Sequence, residues 1–140
     1  MKTVLDTNVL SEIMKPQGLR TVKNWVATQP RLNLFITSIT QAEILYGIAI
    51  LPDGKRSQVL RETAQAMFLE EFVGQILVFE QKAAVCFAEI ASNRKKIGKP
   101  ISQADAQIAA ICLANNAEIA TRNVNDFADC QIQIINPWDL

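Results

Sequence analysis

Four separated segments of this chain place an oxygen-donor side chain where an apolar run ends or a helical pattern begins. Asp6 closes the run Thr3-Val4-Leu5, and Glu43 lies just inside the helical pattern that follows Leu34-Phe35-Ile36-Thr37. Asp105 opens a pattern starting at Ser102, and Asn123 and Asp126 follow Ile119-Ala120-Thr121. Carboxylates and amides brought together suit a hard divalent cation, Mg²⁺ or Mn²⁺, which takes oxygen ligands and needs negative charge to offset its own. The chain contains no histidine. That excludes Ser-His-Asp and Cys-His nucleophile systems, imidazole-based zinc sites and RNA cleavage by paired histidines.

Each acid also has a purely structural reading. Thr40-Gln41-Ala42-Glu43 and Ser102-Gln103-Ala104-Asp105 have capping-box spacing, the second with Asp in place of Glu. Asp6 can cap a helix starting at Thr7, and Asn123 a turn ending at Asp126. Facing weakens that reading for two of them. Ile108, Ala109 and Cys112 stand at i+3, i+4 and i+7 from Asp105, and Ile39, Tyr46, Gly47 and Ile50 share the face of Glu43. A carboxylate on an apolar stripe is partly desolvated and needs a partner, which a shared cation would supply.

The elements that must position these acids follow from the pattern. Short apolar runs near 3–5, 34–37, 76–79, 119–121 and 132–135 predict strands. Between them, helical patterns run over about 7–14, 19–29, 38–50, 55–73, 81–97 and 102–116, the last apolar almost all round and therefore central. Such alternation predicts an α/β fold, a mostly parallel sheet covered on both faces. Ligands bind at the carboxyl ends of parallel strands, and all four acid-bearing segments lie at that edge.

At 140 residues and 49% apolar composition, the chain is read as a single domain, 1–140, able to bury its own core. Lys+Arg and Asp+Glu each number 14. This balance excludes a globally basic nucleic-acid binder but not a local basic patch. Cys86, Cys112 and Cys130 lack C-x-x-C spacing and read as reduced core residues. Asp6 comes too early for a secretory apolar region and no apolar run is long enough to span a bilayer, so a cytoplasmic protein without a membrane partner is expected.

Val4-Leu5-Asp6-Thr7-Asn8-Val9-Leu10-Ser11-Glu12 resembles the opening of PIN-domain proteins, whose first strand ends in Asp followed by Thr and Asn. Ser38-Ile39-Thr40-Gln41-Ala42-Glu43-Ile44-Leu45-Tyr46-Gly47 is similar to their second motif, and Asp105-Ala106-Gln107-Ile108-Ala109-Ala110 to their third. Ala120-Thr121-Arg122-Asn123-Val124-Asn125-Asp126-Phe127 resembles the fourth and Asn136-Pro137-Trp138 the usual close. The motifs occur in family order over essentially the whole chain. Within the family, the likeness is to the VapC and FitB toxins of type II toxin–antitoxin modules.

The resemblance implies a PIN-like three-layer α/β/α sandwich and a metal-dependent endoribonuclease acting as a toxin. It implies that Asp6, Glu43 and Asp105 hold one or two Mg²⁺ or Mn²⁺ ions, with water activated by the cation attacking an RNA phosphodiester. The fourth position is left between two residues: where FitB-like members often have Asp, this chain has Asn123, and Asp126 follows three residues later. Asp126 would supply charge as a catalytic and metal-binding acid, Asn123 a neutral ligand. Thr7, Asn8 and Thr121 would support the pocket by hydrogen bonding. The partners implied are an RNA substrate and a cognate antitoxin protein, the latter in a toxin–antitoxin hetero-oligomer, with a homodimer of this chain.

Asn93-Arg94-Lys95-Lys96-Ile97-Gly98-Lys99 has two readings. Arg94, Lys95, Lys96 and Lys99 could grip RNA phosphates beside the pocket, or form a solvated helix end favoured by the macrodipole. Between Ile39 and Val73, Leu51, Leu60, Met67, Phe68, Leu69 and Phe72 exceed what a cover layer needs; core packing is the default reading, a dimer face and antitoxin groove the other. Two competing functions are weighed. A dehalogenase-type phosphatase would want a second acid two residues after Asp6, where Asn8 stands. A PIN-like partner-binding module with weakened catalysis draws its support from Asn123 alone.

Overall fold

Runs such as Thr3-Val4-Leu5 and Leu34-Phe35-Ile36-Thr37 form strands because β-branched and aromatic side chains suit a pleated surface buried on both sides. The computed structural model describes every residue, 1–140. Strands β1 (Thr3–Leu5), β2 (Leu34–Thr37), β3 (Ile76–Leu77), β4 (Glu118–Ala120) and β5 (Ile134–Ile135) make one parallel sheet in the order β3-β2-β1-β4-β5. Val4 pairs with Phe35 on one side and Ile119 on the other, and Ala120 pairs with Ile135.

Alternation along the strands divides the core in two. Leu5, Leu34, Ile36 and Ala120 turn to one face, where Val9 and Leu10 of α1 (Thr7–Met14), Val22 of α2 (Arg20–Thr28), Ile44 and Ile48 of α3 (Ser38–Ala49) and Ala64 of α4 (Lys55–Ala66) cover them. Val4 and Ile119 turn to the other, against α5 (Gln81–Lys96) and α6 (Gln103–Ala114). The result is the expected three-layer α/β/α sandwich. Ala106, Ile108, Ala109, Ala110, Ile111 and Cys112 are all buried, so α6 is the central helix its apolar circumference predicts. No helix is long and apolar enough to cross a membrane.

Several boundaries differ from the sequence reading. The predicted helix over 55–73 leaves α-geometry after Ala66 and continues as one π-helical turn, Met67–Glu71. That wider turn sends Met67, Phe68 and Phe72 into the core while Leu69 stays exposed. The third strand stops at Leu77 rather than at Phe79, whose ring instead packs edge-on against Phe87. The last strand begins at Ile134, after two residues with positive φ, Asp129 and Gln131, have turned the chain. A short helix α7 (Val124–Phe127) stands where only a turn is predicted.

The strand order fixes the site. β1, β2 and β3 build outward in one direction, then α5 and α6 carry the chain back past β1 to β4. The order therefore reverses between β1 and β4, and the crevice above their carboxyl ends is where ligands bind in such sheets. The Asp6 N–H donates to Ala120 O at 3.0 Å, tying the two strand ends together.

Candidate active site

Asp6 leaves β1 with extended backbone and caps α1, accepting the Thr7 N–H at 2.8 Å. The capping reading is thus correct for this residue, yet it does not exhaust the side chain. Its second oxygen accepts the Thr121 hydroxyl at 2.8 Å and the Asn8 amide at 3.2 Å. Only 4% of Asp6 is exposed. Burial pushes its carboxyl up from 3.8 to about 6; the Thr121 and Thr7 hydrogen bonds oppose the rise, and the nearby Asp105 and Glu43 charges add to it. Asn8 joins the two strand ends a second time, with its amide also near Thr121 Oγ1 and its Oδ1 accepting the Arg122 N–H.

Glu43 reaches the site from α3. The predicted Thr40–Glu43 capping box does not form, because α3 starts at Ser38 and Thr37 is its cap, accepting the Thr40 N–H at 3.1 Å. Glu43 is free to accept the Thr7 hydroxyl at 2.6 Å. Thr7 Oγ1 is 3.0 Å from Thr40 Oγ1, which Thr37 Oγ1 approaches at 3.4 Å. With the Thr7 proton committed to Glu43, the hydroxyl protons run from Thr37 through Thr40 and Thr7 toward the carboxylate. Sequence reasoning found Thr7 but missed Thr37 and Thr40; a second Thr three residues after a Thr N-cap was the available signal. The predicted desolvation of Glu43 is not observed. The buried stripe of α3 is Thr40, Ile44 and Ile48, and the face shared by Glu43, Tyr46 and Ile50 is turned outward.

Asp105 sits in the first turn of α6, capped by Ser102, whose hydroxyl accepts the Asp105 N–H at 3.2 Å. Partial burial raises its pKa; the Ser102 hydroxyl opposes this, Asp126 and Glu43 add to it, and Arg94 offsets it. Asp126, on α7, is exposed and faces the same cluster of charge. Asn123 starts α7 without a side-chain capping bond, contrary to the capping reading, and its N–H donates to Thr121 Oγ1 at 3.0 Å. The fold thus delivers Asp6, Glu43, Asp105 and Asp126 to one edge, where Asp105 and Glu43 raise the Asp6 carboxyl and Asp126 and Glu43 raise that of Asp105. No three of them close into a finished cage. Like charges held apart by their own hydrogen bonds need a cation to converge, and Mg²⁺ keeps several waters rather than requiring a full protein shell.

The basic segment divides. Arg94 is not a phosphate contact, because it is 5% exposed and its Nε and Nη1 are engaged within the fold. Nε donates to Lys99 O at 2.7 Å, and Nη1 to Asp126 O and Ala128 O at 3.0 and 2.7 Å. It stands on the buried stripe Ala83, Ile90, Arg94 of α5, a spacing of seven and four residues that marked it as inward-facing. Lys95 and Lys96 are exposed, and Lys99 lies 3.5 Å from Asp129. Of the apolar surplus, Met67, Phe68 and Phe72 are core, whereas Leu45, Tyr46, Ile50, Val59, Leu69 and Val73 are exposed. Between α1, α3 and α4 an apolar groove of about 280 Å³ runs from Glu43 over Ile44, Ile48 and Leu51 to Leu60. Cys112 and Cys130 are buried and Cys86 partly so, and all three are free thiols.

The PIN-domain family model matches residues 3–131. The chain belongs to the PIN-domain family. Among PIN-domain relatives, the VapC ribonuclease Y4jK of Sinorhizobium fredii is 36% identical over 136 residues, covering 97% of each chain. Toxin FitB of Neisseria gonorrhoeae is 36% identical over 135 residues, covering 96% of this chain and 97% of that one. The crystal structure of FitAcB from Neisseria gonorrhoeae superposes with a TM-score of 0.92 at 36% identity, covering 99% of both chains. PIN membership thus rests on a fold match and a sequence match over nearly the full length.

Proposed function

We propose that this PIN domain is a metal-dependent endoribonuclease that acts as the toxin of a type II toxin–antitoxin module. The observation that carries the reading is the state of Asp6. A carboxylate this buried, held by three donors and raised by two further acids, is costly to the fold unless it serves a cation. The relatives named a ribonuclease and a toxin support it.

The donor set is all oxygen and all hard, which fits Mg²⁺, with Mn²⁺ able to substitute. Asp6, Glu43 and Asp105 would hold the ion, with Asp126 or Asn123 in the fourth position. The ion would supply charge stabilisation to the phosphodiester and lower the pKa of an attacking water. The chain's own residues do the rest. Thr121 and the Thr7 N–H fix the Asp6 carboxylate, and the Thr37–Thr40–Thr7 hydroxyls fix Glu43. Four acids repel a polyanion, so RNA approaches only once they are neutralised. Lys95, Lys96 and Lys99 add positive potential beyond the pocket.

The groove beside Glu43 suits an apolar segment of the antitoxin, with Lys15 and Arg56 at its rim. The exposed apolar side chains of α3 and α4 suit a homodimer. Transfer RNA and ribosomal RNA incubated with the purified protein and Mg²⁺ or Mn²⁺ should be cut, and EDTA, Asp6→Asn or Asp105→Asn should each abolish cutting. Cleavage that survives both substitutions would sink the assignment of the pocket. A folded protein inert on every RNA, with no Mn²⁺ affinity, would mark a partner-binding module instead.

A further inference from the structure

With Arg94 buried, the cation best placed to meet substrate at the pocket is one the basic segment did not contain. Arg122 follows Thr121 directly, and its N–H is held by Asn8 Oδ1 at 3.3 Å, so its Cα is fixed relative to Asp6. Its guanidinium lies over the ring of Trp138, 5.4 Å from the centroid. Trp138 is itself fixed: its N–H donates to Asn136 Oδ1 at 3.0 Å, and its ring packs on the core cluster beneath α1 and α2. Arg122 is exposed, and its side chain makes no hydrogen bond or salt bridge; the ion pairs in the structure are Lys15–Glu12 and Lys99–Asp129. Glu12, whose carboxylate feels the Arg122 charge, is already occupied by the Leu19 N–H and Lys15. Arg122 also forms one wall of an open polar cleft of about 520 Å³ that contains Asn123, Asn125, Asp126 and Asn136, a size that accommodates a small organic group. In that cleft Asp139 accepts from the Asn136 amide, which ties up the cleft's outer acid.

We infer that Arg122, seated on the face of Trp138, binds the RNA phosphate that flanks the scissile one and leads the strand through the cleft past Asp126. The inference rests on the ribonuclease reading. Stacking on Trp138 leaves the planar fork with its five N–H donors unengaged, and a guanidinium so placed loses little freedom when it takes a phosphate bidentately. Asp126 lines the same cleft, so a cation there must be kept from pairing with it. A mobile one would pair with that carboxylate, whereas Arg122 is stacked on the ring and makes no ion pair. The closing Asn136-Pro137-Trp138 segment thereby has a role in substrate binding besides closing the fold.

The test uses the full-length protein with Mg²⁺ and a fluorescein-labelled single-stranded oligoribonucleotide taken from an RNA the wild type cuts. Steady-state cleavage is followed at several salt concentrations. Arg122→Ala should raise KM about ten-fold with kcat little changed, as expected for losing a charged hydrogen-bonded contact. The salt slope of binding should fall by about one phosphate. Arg122→Lys should restore the slope but only part of KM, because an ammonium keeps the charge and loses the planar fork. Trp138→Phe should raise KM less than Arg122→Ala. Lys2 is the matched control, a second cation over a ring, 5.5 Å from the Phe35 centroid at the opposite edge of the sheet. Lys2→Ala should leave KM and slope unchanged. Arg122→Ala with wild-type KM and slope would overturn the inference and leave the ribonuclease intact. A fall in kcat at constant KM would also overturn it, by placing Arg122 in the chemistry. If the wild type cuts no RNA, the ribonuclease reading fails first and takes this inference with it.

Discussion

At Asp6 the stability of the fold and the proposed cation site make opposite demands on one side chain. Its carboxyl binds a proton near pH 6 in the fold and at its ordinary 3.8 in the unfolded chain. Between those values the native protein holds the extra proton, so stability declines as pH rises through 6 and is regained on acidification. The charge costs up to about 3 kcal/mol at neutral pH. Asp6→Asn should therefore raise the Tm by several degrees at pH 7.5 in EDTA, and the gain should vanish below about pH 4. Calorimetry across that range checks it; a lower Tm for the variant at pH 7.5 would mean that the Thr7, Asn8 and Thr121 bonds outweigh the desolvation. Thr37, Thr40 and Thr7 make the complementary point. Hydroxyls that look like helix-cap chemistry in sequence become a directed chain once α1 and α3 lie side by side.

At the scale of elements, the C-terminus of α5 is where the fold and the site meet. Gly98 takes φ +78, and the Lys99 N–H returns to Arg94 O while the Gly98 N–H returns to Lys95 O, the six-to-one and five-to-two bonds of a Schellman close. That turn aims Lys99 O at the Arg94 Nε, and the same guanidinium holds the carbonyls of Asp126 and Ala128. One side chain thus fastens the α5–α6 connection, which leads to Asp105, to the segment that carries Asp126. Arg94→Ala leaves three carbonyls without their donor and should cost about 3 kcal/mol. Arg94→Lys should recover only part, since an ammonium cannot reproduce the fork. Urea unfolding measures the first; Mn²⁺ affinity, expected to weaken as Asp126 loosens, separates placement of the site from bulk stability. An unchanged Mn²⁺ affinity in a folded Arg94→Ala protein would limit Arg94 to structural support.

For the whole molecule, the sheet order is what gathers the acids. Asp6, Glu43, Asp105 and Asp126 are up to 120 residues apart in sequence, and the reversal at β1 and β4 brings their strand ends and helix starts to one crevice. Their mutual repulsion is a cost spread over the fold, so a cation that relieves it should stabilise the folded state as a whole. Saturating Mn²⁺ at one hundred times its Kd should add about 2.7 kcal/mol. The shift should appear as a higher Tm in the wild type and disappear in Asp105→Asn. An equal shift in both proteins would place the cation elsewhere on the surface.

Much of this was legible in the sequence, because local chemistry and periodicity decided it. The alternation of short apolar runs with helical patterns determined the α/β class, the apolar circumference of 102–116 determined a central helix, and the ends of the apolar runs marked Asp6, Glu43 and Asp105, which the fold brings to one edge. What sequence could not decide were matters of facing and partnership between distant segments. Arg94 sits in a run of cations and reads as surface charge, but the inward stripe of α5 buries it, and carbonyls 32 and 34 residues away complete its bonds. Glu43 reads as desolvated, but the close approach of α1 gives it Thr7 and leaves its outer face in water. Arg122 and Trp138 lie in separate motifs with nothing in either to announce the other. Side-chain direction depends on which helix packs where, and that is settled by sheet order and burial together; only the tertiary structure contains it.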